Sequence, residues 1–286
     1  MTDIKDIYIS EKEFQLLREL ISKEFGLQIK GDKRLTLHAR LSHRLHILGL
    51  ASYADYCDFI RADFSGAELQ ELASHITNNE TFFFREKAQL DTFSSVLEDI
   101  KKEKQKKKRQ DLRILSLACS TGEEAYTLNI LIQLSGLFLW NWDVRITGID
   151  INRNVVAKAK KAIYTKNSFR GMNGDTGLIQ KYFRGEGELY RLKQSFAKNV
   201  EFRQGNILCE DAYAGLEGTD AVFCRNLFIY MGADSVEKVL RNCYRSLSDT
   251  GYLFVGSSES LINKTDLFIP QIVNGIIVYR KNVREN

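Results

Sequence analysis

Two carboxylates follow a run of small residues at the end of an apolar segment. The run Ala118–Gly122 precedes Glu123 and Glu124, where a helix is expected to begin. Small residues at a strand-to-helix turn let a ligand approach the backbone, and the start of the helix offers unpaired N–H groups. The segment has neither the glycine spacing of a dinucleotide site nor the Gly-Lys-Ser/Thr ending of a phosphate loop. Two carboxylates would repel a phosphate and attract a cation, or they could simply complement the helix dipole.

A third carboxylate, Asp150, ends the next apolar segment. An acidic residue at the end of the second strand of such a sheet typically binds the ribose hydroxyls of an adenosine, although Asp is also a favoured helix N-cap. The two strand ends together indicate a nucleoside ligand that is not held through phosphates. S-adenosylmethionine fits, because it carries an adenosine, a sulfonium cation and no phosphate.

These residues depend for their positions on short apolar segments that alternate with amphipathic helices from Leu112 onward. Strands are predicted at 113–118, 144–150, 221–226 and 251–257, and helices from about 122, over 153–163 and over 234–247. Such alternation predicts a parallel sheet with right-handed crossovers, a Rossmann-like α/β fold. Asn274-Gly275 between apolar runs predicts a closing antiparallel hairpin, and residues 180–204 predict a small β insertion.

The N-terminal region has a different periodicity. Apolar residues recur every three or four positions in four stretches separated by glycines, which predicts a small all-α domain over residues 1–78. We expect a linker and connecting helix over 79–110 and the α/β domain over 111–286. The charged run Lys101–Arg109 is expected to be a solvated linker or helix end, with a contact for an acidic partner as the alternative.

The composition is that of a globular protein without a targeting signal. The chain has 41 Lys plus Arg and 37 Asp plus Glu, and its formal net charge of +4 is too small to indicate a nucleic-acid partner by itself. The N-terminus has no apolar signal segment, and no apolar stretch is long enough to cross a membrane. The 5 Cys form no C-x-x-C pair, and the 4 His have no accompanying ligand cluster. We therefore expect free thiols, a cytoplasmic location, no metal and no membrane insertion.

Five motifs resemble those of the CheR family, the glutamate methyltransferases of chemotaxis receptors. They are NNETFFFR (78–85), LACSTGEEAYTL (117–128), GIDI (148–151), FCRNLFIYM (223–231) and GYLFVGSSESL (251–261). The stretch KGDKRLTLHARLSHRLHILGL (30–50) is also similar, so the resemblance covers nearly the whole chain. It implies a helical N-terminal domain, a Rossmann-like methyltransferase domain, and S-adenosylmethionine as the methyl donor with S-adenosylhomocysteine as the product.

The resemblance also implies roles for individual residues. Tyr230 and Arg85 are implied as catalytic residues, with Tyr230 near the transferred methyl group. Asp150 is implied to hold the ribose, and Asn206-Ile207 to lie near the adenine. The complete set implied to contact the cofactor is Asn79, Thr81, Arg85, Glu123, Asp150, Asn206, Ile207, Arg225 and Asn226.

The implied reaction transfers a methyl group from the sulfonium to a glutamate oxygen of a chemoreceptor's cytoplasmic helical bundle. Glutamate has a pKa of about 4.3 and is already an anion at neutral pH, so the reaction needs no general base. The implied site contains no His, which agrees with this chemistry. An acidic receptor helix needs a basic surface. Lys33, Arg40 and Arg44 share one face of a helix at roughly 100° per residue, and we predict that this face contacts the receptor, with a solvated face as the alternative.

The sequence departs from the family at several positions. Ala118 and Ala125 stand where many members have Gly and Pro, and both still allow close approach of the cofactor. Ser257 stands where many members have His, and its role is left open. The β insertion is compact, whereas some members use a longer one to dock a receptor's tail peptide, so such tethering is not expected.

A nucleic-acid methyltransferase of the same fold is a rival hypothesis. The charged run permits it, but the only proline, Pro270, excludes the Pro-Pro loop of enzymes that methylate base amino groups. Cys224 has no neighbouring proline or base for cytosine-carbon methylation. Methylation of a different signalling protein, or binding of the cofactor by a non-catalytic module, is also compatible with the sequence.

Overall fold

The computed structural model describes residues 8–172 and 175–283 and divides into two compact units. The first unit extends to Asn78 and also includes Tyr230–Val236. The second unit comprises Asn79–Ile229 and the residues from Glu237 onward.

The first unit is a helical bundle in the described residues. Its helices are α1 Glu11–Phe25, α2 Arg34–Leu48, α3 Tyr53–Ala62 and α4 Ala67–Ile76. Helix α1 begins at a capping box, in which the Ser10 side chain accepts from Glu13 N and the Glu13 side chain accepts from Ser10 N. The apolar stripes of the helices face the interior, so the predicted small all-α domain is confirmed.

Residues 230–236 join this bundle through backbone contacts. Met231 forms a β-bridge with Leu27, and Gly232 N donates to Gly26 O at 3.1 Å. Gly26 has a φ of +72°, and a Cβ there would lie 2.8 Å from Ser235 Cβ, so the turn and the close approach both require glycine. The sequence-based assignment placed residues 230–236 in the α/β domain. Pairing between distant segments leaves no local pattern, so the sequence does not reveal that these residues join the helical bundle.

The second unit is an α/β domain. Its helices are α5 Lys87–Lys106, α6 Glu123–Ser135, α7 Arg153–Lys161, α8 Thr176–Tyr182, α9 Gln194–Ala197 and α10 Ala233–Ser246, the last of which begins in residues of the first unit. Its strands are β1 Asp111–Leu117, β2 Asp143–Asp150, β3 Ile163–Thr165, β4 Phe183–Glu186, β5 Leu189–Leu192, β6 Val200–Gln204, β7 Thr219–Cys224, β8 Leu247–Val255, β9 Phe268–Val273 and β10 Ile276–Lys281.

In the described part of the chain, the main sheet has 7 strands in the order β6-β2-β1-β7-β8-β10-β9. The first five of these strands run parallel, and every residue of β7 is buried, as expected for a sheet covered on both faces. Strands β9 and β10 are antiparallel, and their turn uses Asn274 at a φ of +51° and Gly275 at +78°. The predicted Rossmann-like α/β fold and its closing hairpin are confirmed.

The predicted β insertion over 180–204 is correct only in part. Strand β6 lies in this range but pairs in parallel with β2, so it belongs to the main sheet. The small antiparallel sheet has the order β3-β5-β4 and begins earlier, at Ile163. Short strands of an insertion and of a core sheet have similar residue patterns, and their pairing partners distinguish them.

The charged run differs from the prediction at Lys104. This residue is 5 % exposed, and its Nζ lies 2.9 Å from Asp220 Oδ2 and 3.2 Å from Asp111 Oδ2. A buried ammonium is tolerated because the two carboxylates neutralise it. Lys104 therefore ties the end of α5 to β1 and β7, whereas Lys107 and Lys108 are exposed as predicted.

Candidate functional site

The carboxyl ends of four neighbouring strands carry most of the candidate residues. Strands β6, β2, β1 and β7 are adjacent in this order and parallel, so the segments that follow them lie along one edge of the sheet, here called the strand-end edge. In this spatial order, the candidates at or after the strand ends are Asn206 and Ile207, then Asp150, then Glu123, then Arg225 and Asn226.

The turn after β1 has an unusual backbone that favours small residues. Ala118, Ser120 and Gly122 have φ angles of +52°, +50° and +92°. A Cβ on Gly122 would lie 2.8 Å from Phe202 Cζ and 3.0 Å from Ala159 Cβ. Glycine is therefore required at position 122 by the dihedral angle and by the close packing of the turn on the sheet.

Asp150 connects this turn to the end of β2. Its Oδ2 accepts from Ser120 N at 2.8 Å, and its Oδ1 accepts from Asn152 N at 2.9 Å. Burial raises the pKa of Asp150, although the backbone hydrogen bonds oppose this shift. The N-cap of α7 is Asn152, whose side chain accepts from Asn154 N, so the alternative role of Asp150 as the N-cap is wrong.

Glu123, at the start of α6, is bound inside the protein. It is 2 % exposed, its Oε2 accepts from Thr121 Oγ1 at 2.6 Å, and its Oε1 accepts from Ser168 Oγ at 3.0 Å. Burial raises the pKa of Glu123, and these hydrogen bonds oppose the shift. The carboxylate therefore fixes the β1 turn and the segment around residue 168, in addition to lying at the positive end of the helix dipole.

Arg225, directly after β7, links two carboxylates. Its Nη1 donates to Glu124 Oε2 at 3.0 Å, and its Nη2 donates to Glu86 Oε2 at 3.1 Å and to Arg85 O at 2.7 Å. The side chain of Arg225 is only 2 % exposed. The guanidinium is thus engaged in holding the segment before α5 against the strand-end edge.

The segment from Asn79 to Arg85 is attached to the same edge. Ser120 Oγ donates to Asn79 O at 2.9 Å, which ties this segment to the β1 turn. Thr81 and Arg85 are partly exposed, and Arg85 Nη1 donates to Glu80 O at 2.8 Å. The described geometry therefore leaves the Arg85 side chain accessible to a ligand.

Asn206 and Ile207 follow β6 beside Asp150. Gly205 N donates to Asp150 O at 3.0 Å, so the two strand ends are joined by a backbone hydrogen bond. Asn206 Oδ1 accepts from Leu208 N at 3.0 Å, and the side chains of Asn206 and Ile207 are partly exposed.

Glu86 is a site residue that we did not predict from the sequence. Its Oε1 accepts from Asn226 Nδ2 at 2.9 Å, and its Oε2 accepts from Arg225 Nη2 at 3.1 Å and from Ser257 N at 3.2 Å. Burial by itself would raise the pKa of Glu86, but the Asn226 hydrogen bond and the Arg225 charge outweigh burial and lower it. The available signal was its position, because Glu86 directly follows the motif that ends at Arg85.

Tyr230 belongs to the first unit. Its side chain is exposed, and its hydroxyl accepts from Asn78 Nδ2 at 3.3 Å. Its backbone carbonyl accepts from Gln28 N at 2.7 Å, which fixes the residue to the helical bundle.

The predicted receptor face on α2 is only partly free. Lys33 and Arg40 are exposed, and Arg40 Nη1 donates to Ile76 O at 2.9 Å. The Arg44 guanidinium instead binds Glu68, a carboxylate that is 3 % exposed, with Nε at 2.9 Å from Oε1. Removing Arg44 would leave the buried Glu68 carboxylate without its cation. Arg44 therefore has a structural role, and Lys33 and Arg40 are the residues of the predicted receptor face that keep exposed charges.

The residues of the strand-end edge fit a phosphate-free nucleoside. Asp150 and the backbone of the β1 turn face this edge, and the Arg225 charge is balanced by Glu86 and Glu124. Within residues 8–172 and 175–283, no group of three or more His, Cys, Asp or Glu residues is arranged to hold a metal ion. In the same ranges, no helix has the length and apolar character needed to cross a membrane.

Two protein-family models match the chain. The CheR methyltransferase, SAM binding domain, matches residues 79–274, and the CheR methyltransferase, all-alpha domain, matches residues 12–77. The chain is 30 % identical to chemotaxis protein methyltransferase 2 of Vibrio cholerae over 93 % of this chain and 91 % of that protein. It is 32 % identical to a chemotaxis protein methyltransferase of Salmonella typhimurium over 89 % of this chain and 86 % of that protein. It is also 34 % identical to the probable biofilm formation methyltransferase WspC of Pseudomonas putida, over 87 % of this chain and 56 % of that protein.

Proposed function

The chain belongs to the CheR methyltransferase family, a family of S-adenosylmethionine-dependent methyltransferases, and on this premise we propose that it methylates glutamate side chains of a chemoreceptor's cytoplasmic helical bundle. The observation that carries the proposal is the overlap between the matched cofactor-binding domain and the strand-end edge, where buried Asp150 joins the ends of β1, β2 and β6.

S-adenosylmethionine supplies a methyl group on a positively charged sulfur. We propose that Asp150 binds the ribose, because its carboxylate has about four lone-pair positions and three backbone donors, from Ser120, Ile151 and Asn152, which leaves a position for a ribose hydroxyl. Asn206 and Ile207 are proposed to contact the adenine. Arg85 is accessible and suits the carboxylate of the methionyl group, since guanidinium and carboxylate form strong paired hydrogen bonds.

The remaining cofactor residues divide into two groups. Asn79, Thr81 and Asn226 lie in segments bound to the strand-end edge and are proposed to contact the cofactor. Glu123 and Arg225 are engaged with protein partners, so we propose that they act by holding the β1 turn and the segment before α5 in place.

The proposed acceptor is already ionised when it arrives. A glutamate oxygen forms a bond to the methyl carbon while the carbon–sulfur bond breaks and its electron pair stays on sulfur. The products are a methyl ester and a neutral thioether, and no proton moves, so a general base is unnecessary. We propose that Tyr230 orients the acceptor by donating a hydrogen bond to its carboxylate.

The acceptor helix is proposed to bind through charge complementarity. Lys33 and Arg40 are exposed near one another in sequence at the start and middle of α2 and offer positive charge to a glutamate-rich helix.

A thiol mechanism, as in cytosine-carbon methylation, has no support from Cys224, because this residue is fully buried and burial raises its pKa well above the usual value.

The test combines methyl-labelled S-adenosylmethionine, the purified protein and a chemoreceptor cytoplasmic fragment, with structured RNA in a parallel tube. Label on the receptor that mild alkali releases as methanol is the expected result. A fragment from a biofilm-signalling receptor in a third tube tests the related pathway. Alkali-stable label on RNA, or cofactor binding without labelling of any acceptor, would contradict the proposal.

Variants separate the proposed roles. Tyr230→Phe should lower the turnover number with little change in cofactor affinity, and unchanged turnover would remove Tyr230 from the catalytic residues. The pair Lys33→Glu and Arg40→Gln should raise the KM for the receptor without changing cofactor affinity. Arg241→Gln, an exposed arginine on α10, is the matched control and should leave both constants unchanged.

A further inference from the structure

The loop after β8 is a matched motif to which the proposed function assigns no role. This loop contains Gly256, Ser257 and Glu259, and the Glu259 carboxylate accepts three backbone hydrogen bonds. Its Oε2 accepts from Gly256 N at 2.6 Å and from Asn226 N at 2.9 Å, and its Oε1 accepts from Ile229 N at 3.3 Å. One side chain thus ties the end of β8 to the segment that follows β7.

Close packing requires this arrangement. Asn226 has a φ of +55°, in the left-handed region that asparagine adopts more readily than other residues with a side chain. Its backbone N–H is held by Glu259 and its side-chain amide by Glu86. A Cβ on Gly256 would lie 2.6 Å from Glu259 Oε2 and 2.8 Å from Asn226 N, so only glycine lets the two loops approach this closely.

Position 257 contributes its backbone to the same arrangement. Its backbone N–H donates to Glu86 Oε2 at 3.2 Å, while the residue itself is exposed. Any residue except proline supplies this N–H group. The contact made by position 257 therefore does not depend on whether serine or another side chain stands there.

We propose that Glu259 is a positioning residue for methyl transfer, because it fixes the segment Asn226–Ile229 that leads directly into Tyr230. This inference rests on the proposed function, in which Asn226 contacts the cofactor and Tyr230 orients the acceptor. The carboxylate is needed because all three of its donors are N–H groups. A glutamine keeps only one oxygen acceptor and must direct its NH₂ group at one of these donors, and the weaker Ile229 contact is the one it gives up.

The first measurement is independent of activity. Amide hydrogen exchange, read by mass spectrometry, compares the wild-type protein with Glu259→Gln and with Glu237→Gln, a partly exposed glutamate on α10 that serves as the control. We expect faster exchange in peptides that cover residues 226–230 of the Glu259 variant and unchanged exchange there in the control. Unchanged exchange in the Glu259 variant would overturn the proposal, even if the wild-type protein failed to methylate a receptor.

The second measurement is kinetic. In Glu259→Gln the turnover number should fall by about 10- to 100-fold while cofactor affinity changes by less than about threefold, because small misplacements of reacting groups have effects of this size. Glu259→Gln combined with Tyr230→Phe should be no slower than the slower single variant, since both act through one segment. Unchanged turnover, a parallel loss of turnover and cofactor affinity, or fully multiplicative effects would each overturn the positioning role. If Glu259→Gln fails to fold, Glu259→Asp, which keeps the charge and shortens the reach, replaces it in both measurements.

Discussion

Replacing Arg225 by Met tests whether this arginine positions the strand-end segments or contacts the cofactor itself. Methionine has a similar shape without the charge, so Glu86 and Glu124 lose their shared cation. Removing one partner of a buried ion pair costs about 3–5 kcal/mol in the free energy of unfolding. The two carboxylates keep 18 % and 17 % exposure, so water partly compensates and we expect the lower end of that range. A loss of about 3 kcal/mol lowers the melting temperature of a domain of this size by roughly 6–12 °C.

The loss should depend on pH. The folded-state pKa of Glu86 is lowered, so Glu86 contributes stability above its unfolded-state pKa of about 4.3, and this contribution is lost as the pH falls through the folded-state value. Without the Arg225 charge, burial acts with less opposition, and Glu86 takes up a proton at a higher pH. The stability difference between wild type and Arg225→Met is therefore largest near neutral pH and narrows in acid.

Calorimetry for the melting temperature and titration calorimetry for cofactor affinity, each at neutral and mildly acidic pH, measure both effects. Arg241→Met is the matched control, because Arg241 is exposed and pairs with Glu237 on the same helix at 2.9 Å. Such a surface pair contributes at most about 1 kcal/mol, so the control should melt within about 4 °C of wild type. Arg225→Lys keeps the charge and should recover part of the lost stability. An Arg225→Met protein that melts like wild type but no longer binds the cofactor would refute the reasoning and identify Arg225 as a direct ligand.

Three further substitutions or modifications test the structure. Gly122→Ala should cost about 2–4 kcal/mol in the free energy of unfolding through strain and overpacking, whereas Gly136→Ala, which has open space, should cost only about 1–2 kcal/mol in a comparison of urea unfolding. Lys104→Met should cost about 3–5 kcal/mol in the free energy of unfolding. The cost should shrink in acid, because burial raises the pKa of Asp220 and this residue then takes up a proton. Urea unfolding at two pH values measures both effects. In the native protein a thiol reagent should modify Cys209 first, since it is exposed, as a mass-spectrometric count of labels would show. The thiols that should react only after unfolding are Cys57, with its pKa raised to about 11 by burial, Cys119, Cys224, and Cys243, with its pKa raised by burial to about 12.

Features with a local signal were predictable from the sequence. Strands β1, β2, β7 and β8 have apolar runs bounded by helical segments, and these runs predicted the order of strands and helices. Asn274-Gly275 predicted the hairpin because the turn needs positive φ angles at both positions. Asp150 was predictable as a site residue because the carboxyl end of a parallel strand is where such sheets bind ligands.

Contacts between distant segments were not predictable. Glu86 and Arg225 are 139 residues apart, and no pattern near either residue indicates the other. A basic stripe on a helix looks the same whether its charges face a partner or a buried carboxylate, and Arg44 proved to bind Glu68. The sequence-based assignment of strand β6 to the insertion was wrong for a similar reason. Along the chain, α7 and the whole small sheet separate β6 from its partner β2, so no local pattern indicates the pairing.

Five carboxylates of the second unit hold the segments of the strand-end edge together. These carboxylates accept hydrogen bonds from backbone N–H, hydroxyl, amide or guanidinium groups. They belong to Glu86, Glu123, Glu124, Asp150 and Glu259. These hydrogen bonds hold loops and strand ends in place, so the five carboxylates have structural roles whether or not the reaction needs a general base. An alcohol or amine acceptor would need such a base, whereas a glutamate arrives as an anion and needs only orientation. The glutamate acceptor that we propose is therefore compatible with an edge whose carboxylates have structural roles.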